Sequence, residues 1–81
     1  MQIYLSKKAE KFLLKADKST TKRIKLALEG LKQKPPIGDI KSYKSMPGCF
    51  RLRVGNYRII FYIEVDIIQV IDIDSRGQIY S

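Results

Sequence analysis

The 81 residues predict a single α+β domain, in which a helical hairpin packs on one face of a mostly antiparallel, twisted sheet of about four strands. Three observations carry this. Apolar residues recur with the period of a helix up to Leu31, then alternate with period two from Phe50 onward. A stretch bearing proline and glycine separates the two regimes. Gly55-Asn56 interrupts the alternating part where a tight hairpin turn belongs. The resulting order is β-α-α-β-β-β, spanning residues 1–81 as one domain.

Gln2 to Leu5 alternates polar and apolar and reads as a short first strand. Ser6 is the expected N-cap of a helix whose Ala9, Phe12, Leu13 and Ala16 fall at i, i+3, i+4 and i+7. Lys7, Lys11, Lys15 and Lys18 occupy its other side. Asp17 to Thr20 breaks this helix and caps a second one, which turns Ile24, Leu28 and Leu31 inward with Ala27 alongside. It stops before Pro35-Pro36, because proline lacks an N–H and disfavours helical geometry in the residue before it. So short a connection makes the two helices an antiparallel hairpin. Pro35 to Gly48 has the composition of a loop, with one short extended piece around Lys41 to Lys44. Phe50 to Val54 and Tyr57 to Glu64 then form a hairpin, and Ile67 to Ile73 makes a further strand. Gln78-Ile79-Tyr80 either extends the sheet or trails from it.

Composition narrows the function. An apolar fraction of 44% is that of a globular chain. No run approaches the roughly 18 apolar residues a membrane span needs. Met1 leads straight into the first strand, with no basic-then-apolar leader. Cys49 is the only cysteine, which excludes an internal disulfide or a cysteine-built metal site and suits a reducing cytoplasm. Asp72 and Asp74, with Asp66 nearby, are expected to form ion pairs rather than to hold a metal.

Charge points to the partner. Sixteen Lys and Arg against eight Asp and Glu give +8, which favours a polyanion such as nucleic acid or an acidic protein. The lysines all precede position 45, whereas Arg51, Arg53, Arg58 and Arg76 follow position 50. Lysine is a hydrated point charge, while arginine is a planar fork that holds phosphate in a fixed orientation. A diffuse cationic surface is thereby separated from a localised anion site.

The hairpin places that site. With Gly55-Asn56 as a two-residue loop, Arg53 lies opposite Arg58 and Arg51 opposite Ile60. Phe50, Leu52, Val54, Tyr57, Ile59, Phe61 and Ile63 then face the helices, and Arg51, Arg53, Arg58, Ile60 and Tyr62 share the other face. Like charges directly opposed on a sheet are destabilising. Their presence here predicts a preorganised arginine cluster that takes a phosphate.

The segment Met46-Pro47-Gly48-Cys49-Phe50-Arg51-Leu52-Arg53-Val54-Gly55-Asn56-Tyr57-Arg58-Ile59-Ile60-Phe61 resembles the central hairpin of RelE-type toxins, in which basic-x-basic precedes a turn and then Tyr-Arg. The tail from Val70 to Tyr80, with an arginine followed shortly by tyrosine, is similar to the closing strand of the RelE/ParE superfamily. The resemblance implies the toxin of a type II toxin–antitoxin system. Its expected activity is ribosome-dependent endonucleolytic cleavage of mRNA at the A site, with neutralisation by a cognate antitoxin in a hetero-oligomer. By their places in those motifs Arg51, Arg53, Arg58, Arg76 and Tyr80 are the expected catalytic residues, and Tyr62 and Lys44 are expected to bind substrate. No cofactor, metal or membrane is implied.

Metal-free RNA cleavage uses the neighbouring 2′-hydroxyl as nucleophile, giving a 2′,3′-cyclic phosphate and a free 5′-hydroxyl. The protein must align that hydroxyl and stabilise charge growing on the phosphate oxygens, a task for guanidinium groups. Tyr80 or Tyr62 can stack on a base. The chain departs from the family in having Ser75 where many relatives have histidine, and it has no histidine at all. The proton acceptor is therefore Tyr80, a carboxylate such as Asp74, or a group of the ribosome. Two other readings share the fold: a ParE-like inhibitor of DNA gyrase, and a toxin that binds antitoxin or RNA without cutting.

Overall fold

The computed structural model describes residues 1–75, in the order β1 (Gln2–Leu5), α1 (Lys7–Lys15), α2 (Lys18–Leu31), β2 (Asp39–Ser42), β3 (Phe50–Val54), β4 (Tyr57–Glu64) and β5 (Ile67–Ser75). Among the described residues the two helices cover one face of a five-stranded sheet in the order β1-β5-β4-β3-β2. Neighbouring strands are antiparallel except β1 and β5, which run parallel.

Local chemistry sets the helix ends. The Ser6 hydroxyl accepts from the Ala9 N–H at 3.1 Å and also donates to the Ile71 carbonyl at 2.8 Å, tying the start of α1 to β5. Asp17 caps α2 by accepting from the Thr20 N–H at 2.9 Å. The break between the helices is thus confined to Ala16 and Asp17, narrower than the sequence suggested. Ala9, Ile24, Leu28 and Leu31 are buried against Leu52, Ile59, Phe61, Ile68, Val70 and Ile73 from the sheet. Each large side chain so buried contributes roughly 1.5–3 kcal/mol. Tyr57 adds a tether: its ring meets Phe12 edge-on at 5.7 Å and its hydroxyl lies 3.3 Å from that of Thr20.

Among the described residues the sheet has one strand more than expected. The extended piece anticipated around Lys41 to Lys44 lies earlier, at Asp39–Ser42, and pairs with β3 as a full edge strand. Gly38 allows that approach, since it has φ +143° and a β-carbon there would collide with Leu52. The β3–β4 hairpin has the expected register, with Val54 opposite Tyr57 and Arg53 opposite Arg58. Its turn starts at Gly55 with φ +59°, a left-handed conformation that glycine adopts without strain, and the Arg23 guanidinium packs against it. Ile63 lies on the helix-facing side as expected, but it is 40% exposed at the far end of the strand.

One irregularity matters for the site. Ile60 pairs with Asp72 and Phe61 with Val70, so Ile71 is an extra residue, a bulge in β5. Side chains alternate along a strand, and one inserted residue reverses that alternation beyond it. Val70 before the bulge and Ile73 after it both reach the core, and Asp72 and Asp74 are turned to the face away from the helices.

Candidate functional site

The helix-free face carries the arginines. Four strands contribute one residue each to a row across it, in the order Asp39, Arg53, Arg58, Asp74. The opposed arginines are thus flanked by a carboxylate on either outer strand. The next row reads Lys41, Arg51, Ile60, Asp72. Ile60 is 2% exposed although no helix covers it. Its neighbours explain this: the Arg51 and Asp72 side chains are only 19% and 24% exposed, so the arginine stem lies along the sheet instead of extending into water.

The arginines are not equivalent. Arg58 donates from Nε to Asp74 Oδ1 at 3.0 Å and from Nη2 to Oδ2 at 2.9 Å, a two-pronged ion pair. Its guanidinium carbon also lies 5.9 Å from the centre of the Tyr43 ring. Arg51 is held loosely by Asp39, with Nη1 at 3.5 Å from the backbone oxygen and 3.9 Å from Oδ1. Arg53 is exposed and has no hydrogen-bond or ion-pair partner among the described residues. The cluster anticipated from the hairpin is therefore assembled, but two of its three members already touch carboxylates.

The other expected residues divide. Tyr62 is on the same face, four positions beyond Arg58 along β4 and so about 13 Å away. Lys44 is exposed in the turn after Tyr43, beyond the end of β2. Arg76 and Tyr80 lie outside the described residues. Asp74 gives both of its oxygens to Arg58. The three acids considered for a metal each face a cation instead: Asp66 with Lys34, Asp72 with Lys8, and Asp74 with Arg58.

Sequence reasoning missed Tyr43 as a member of the site. Its signal was the alternation Asp39, Lys41, Tyr43, which reads as one strand face once β2 is known to start at Asp39. Beside this face a groove of 610 Å³ runs between α1 and the end of β5, lined by Lys8, Lys11, Lys15, Tyr57, Asp72 and Asp74. Asp74 thus stands at the boundary between a lysine-edged groove and the arginine row.

Comparison with known proteins places this architecture in a class. The family model described as the ParE toxin of the type II toxin–antitoxin system parDE matches residues 3–80. A chain of the RelB–RelE antitoxin–toxin complex from Methanococcus jannaschii is 32% identical, with a TM-score of 0.73 and coverage of 94% of this chain and 93% of that one. The archaeal RelE–RelB complex from Pyrococcus horikoshii OT3 matches at 20% identity and a TM-score of 0.74, covering 95% of this chain and 96% of that one. The isolated E. coli RelE toxin matches at 19% identity and a TM-score of 0.75, covering 91% and 82%. The last two show the shared fold. No curated protein sequence matches. The chain belongs to the RelE/ParE family of toxins of type II toxin–antitoxin systems.

Proposed function

We propose that this toxin cleaves mRNA on the ribosome by metal-independent attack of a 2′-hydroxyl, and that a cognate antitoxin neutralises it in the cytoplasm. The observation that carries the reading is the placement of Arg51, Arg53 and Arg58 on one helix-free face, with Arg53 and Arg58 directly opposed. A surface without an anionic ligand gains nothing from that opposition. Arg58 and Arg53 would bind and neutralise the scissile phosphate, Arg51 an adjacent one, and Tyr43 or Tyr62 offers a ring to a base. The proton acceptor would be Tyr80, Asp74 or a group of the ribosome, and the hydrogen bonds that Arg58 already donates to both Asp74 oxygens favour the other two. The M. jannaschii and P. horikoshii relatives were solved as antitoxin–toxin complexes, which supports an antitoxin partner here.

Single-turnover cleavage of mRNA on programmed ribosomes tests the reading, with production of a 2′,3′-cyclic phosphate expected. The match to the ParE family model favours a second reading, inhibition of DNA gyrase without cleavage. Gyrase supercoiling inhibited by the purified chain, with mRNA left intact, would establish that reading instead.

A further inference from the structure

We propose that Asp74 is the positioning residue of the arginine site: it fixes the orientation of Arg58 for a phosphate and weakens RNA affinity in doing so. The inference rests on the reading that this face binds RNA. Its basis is geometric. A guanidinium has five N–H donors in one plane, and Asp74 engages the edge formed by Nε and Nη2. Nη1 lies in the same plane but outside that two-pronged contact. The Tyr43 ring, 5.9 Å from the guanidinium carbon, restricts it from a second direction. The Arg58 side chain is 21% exposed and that of Asp74 35%, so the pair is partly withdrawn from water, where a two-pronged contact orients best.

The bulge at Ile71 supports a built arrangement. Without that bulge, strict alternation through Ile71 would turn Asp74 toward the helices and Ile73 away from them. With it, an apolar side chain enters the core and a carboxylate arrives opposite Arg58. Asp39, at the other end of the row, makes no comparable contact with Arg53, so the two arginines differ in freedom as well as in place. A negative charge beside a phosphate site opposes binding, and a fixed guanidinium favours the reaction of what is bound. Orientation and affinity are therefore traded against each other at one residue.

Asp74→Asn keeps the shape and removes both the charge and one acceptor, and Asp74→Glu keeps the charge on a longer arm. The full-length chain and both variants would be assayed on programmed ribosomes. Cleavage of bound mRNA would be measured in single turnover, and binding with mRNA carrying a 2′-deoxy nucleotide at the scissile position. Asp74→Asn is expected to bind roughly two- to fivefold more tightly, because a screened repulsion is gone. Its cleavage of bound mRNA is expected to fall by about tenfold or more, with partial recovery in Asp74→Glu. The Arg58 Nε–H signal in NMR gives an arm independent of cleavage. In the parent it should stay sharp and bonded to Asp74 while shifting as a short RNA is added.

Parental or faster cleavage by Asp74→Asn overturns the proposal, as does an Arg58 signal that leaves Asp74 when RNA binds; either makes Asp74 a competitor of phosphate. A parent chain that neither cuts mRNA nor shifts its Arg58 signal with RNA overturns the RNA-site reading itself, and the proposal with it.

Discussion

Arg53 and Arg58 are cross-strand partners at the centre of the helix-free face, and among the described residues Arg58 has a carboxylate in hand while Arg53 has none. The asymmetry gives the two arginines different expected roles in stability. Replacing Arg58 with Ala relieves the repulsion but leaves Asp74, at 35% exposure, without its cation. The net loss of stability should be about 1 kcal/mol, read as a lower urea midpoint. Cleavage of ribosome-bound mRNA should fall by about a hundredfold or more, and Arg58→Lys should recover only part of it, since a point charge cannot reproduce a fork.

Arg53→Thr should behave in the opposite way for stability. It removes a like charge from opposite Arg58 and places a strand-favouring residue on an exposed position, for a gain of a few tenths of a kcal/mol, about 0.3. RNA affinity should drop in the same variant. Urea unfolding and RNA binding measured together would show the two effects diverging; a variant that loses both stability and affinity would mean that Arg53 has a structural partner.

Binding of RNA should weaken steeply with salt. For single strands the logarithm of affinity falls by about 0.7 for each logarithmic unit of salt per phosphate neutralised. Lys7, Lys11 and Lys15 are exposed along α1, and replacing all three with Gln should lower affinity and flatten the salt slope without moving the cleavage position. A flat slope in the parent would favour recognition of a protein target over RNA.

Ser6→Ala should destabilise the fold by about 1–2 kcal/mol, because one hydroxyl both caps α1 and bonds the Ile71 carbonyl. Thermal unfolding checks this. Ser6→Thr keeps both functions and should be much milder.

Acid should weaken the protein at two defined points. Hydrogen bonds from Thr20 hold the Asp17 carboxyl below its ordinary value of 3.8, and the bond from the Lys34 ammonium does the same for Asp66. A carboxyl that ionises more readily in the folded chain stabilises it fully at pH well above 3.8, and that contribution is lost as pH falls through the lower folded-state value. The melting temperature should therefore drop below this pH, and Asp17→Asn should show a shallower drop. An unchanged acid profile in Asp17→Asn would mean that the cap does not carry this dependence.

Much of the molecule was legible in the sequence because its signals are local. The two helices follow from the spacing of Ala9, Phe12, Leu28 and Leu31, and the β3–β4 hairpin from strict alternation around Gly55-Asn56. The register that opposes Arg53 to Arg58 needed only the length of that turn. What escaped depends on contacts between distant segments. β2 has four residues and little pattern of its own, so neither Tyr43 nor Asp39 could be assigned a face. The bulge at Ile71 leaves no composition signal, yet it decides that Asp74 meets Arg58 and Ile73 meets the core. A fork of two oxygens around a guanidinium is a property of register and cannot be read from spacing.

The parallel pairing of β1 with β5 has a consequence for how the molecule comes into being. Among the described residues the first strand pairs with the last, and Ser6 reaches its Ile71 partner across 65 positions. During synthesis from the N-terminus, β1 waits without this partner until Ile67 to Val70 have emerged, and long-range pairings of this kind close slowly. The helical hairpin meanwhile presents an uncovered apolar stripe. β3 and β4 can pair early, but the carboxylate that holds Arg58 comes from β5, which is made after both. A fragment that stops before β5 would thus lack both the β1 pairing and the carboxylate that holds Arg58.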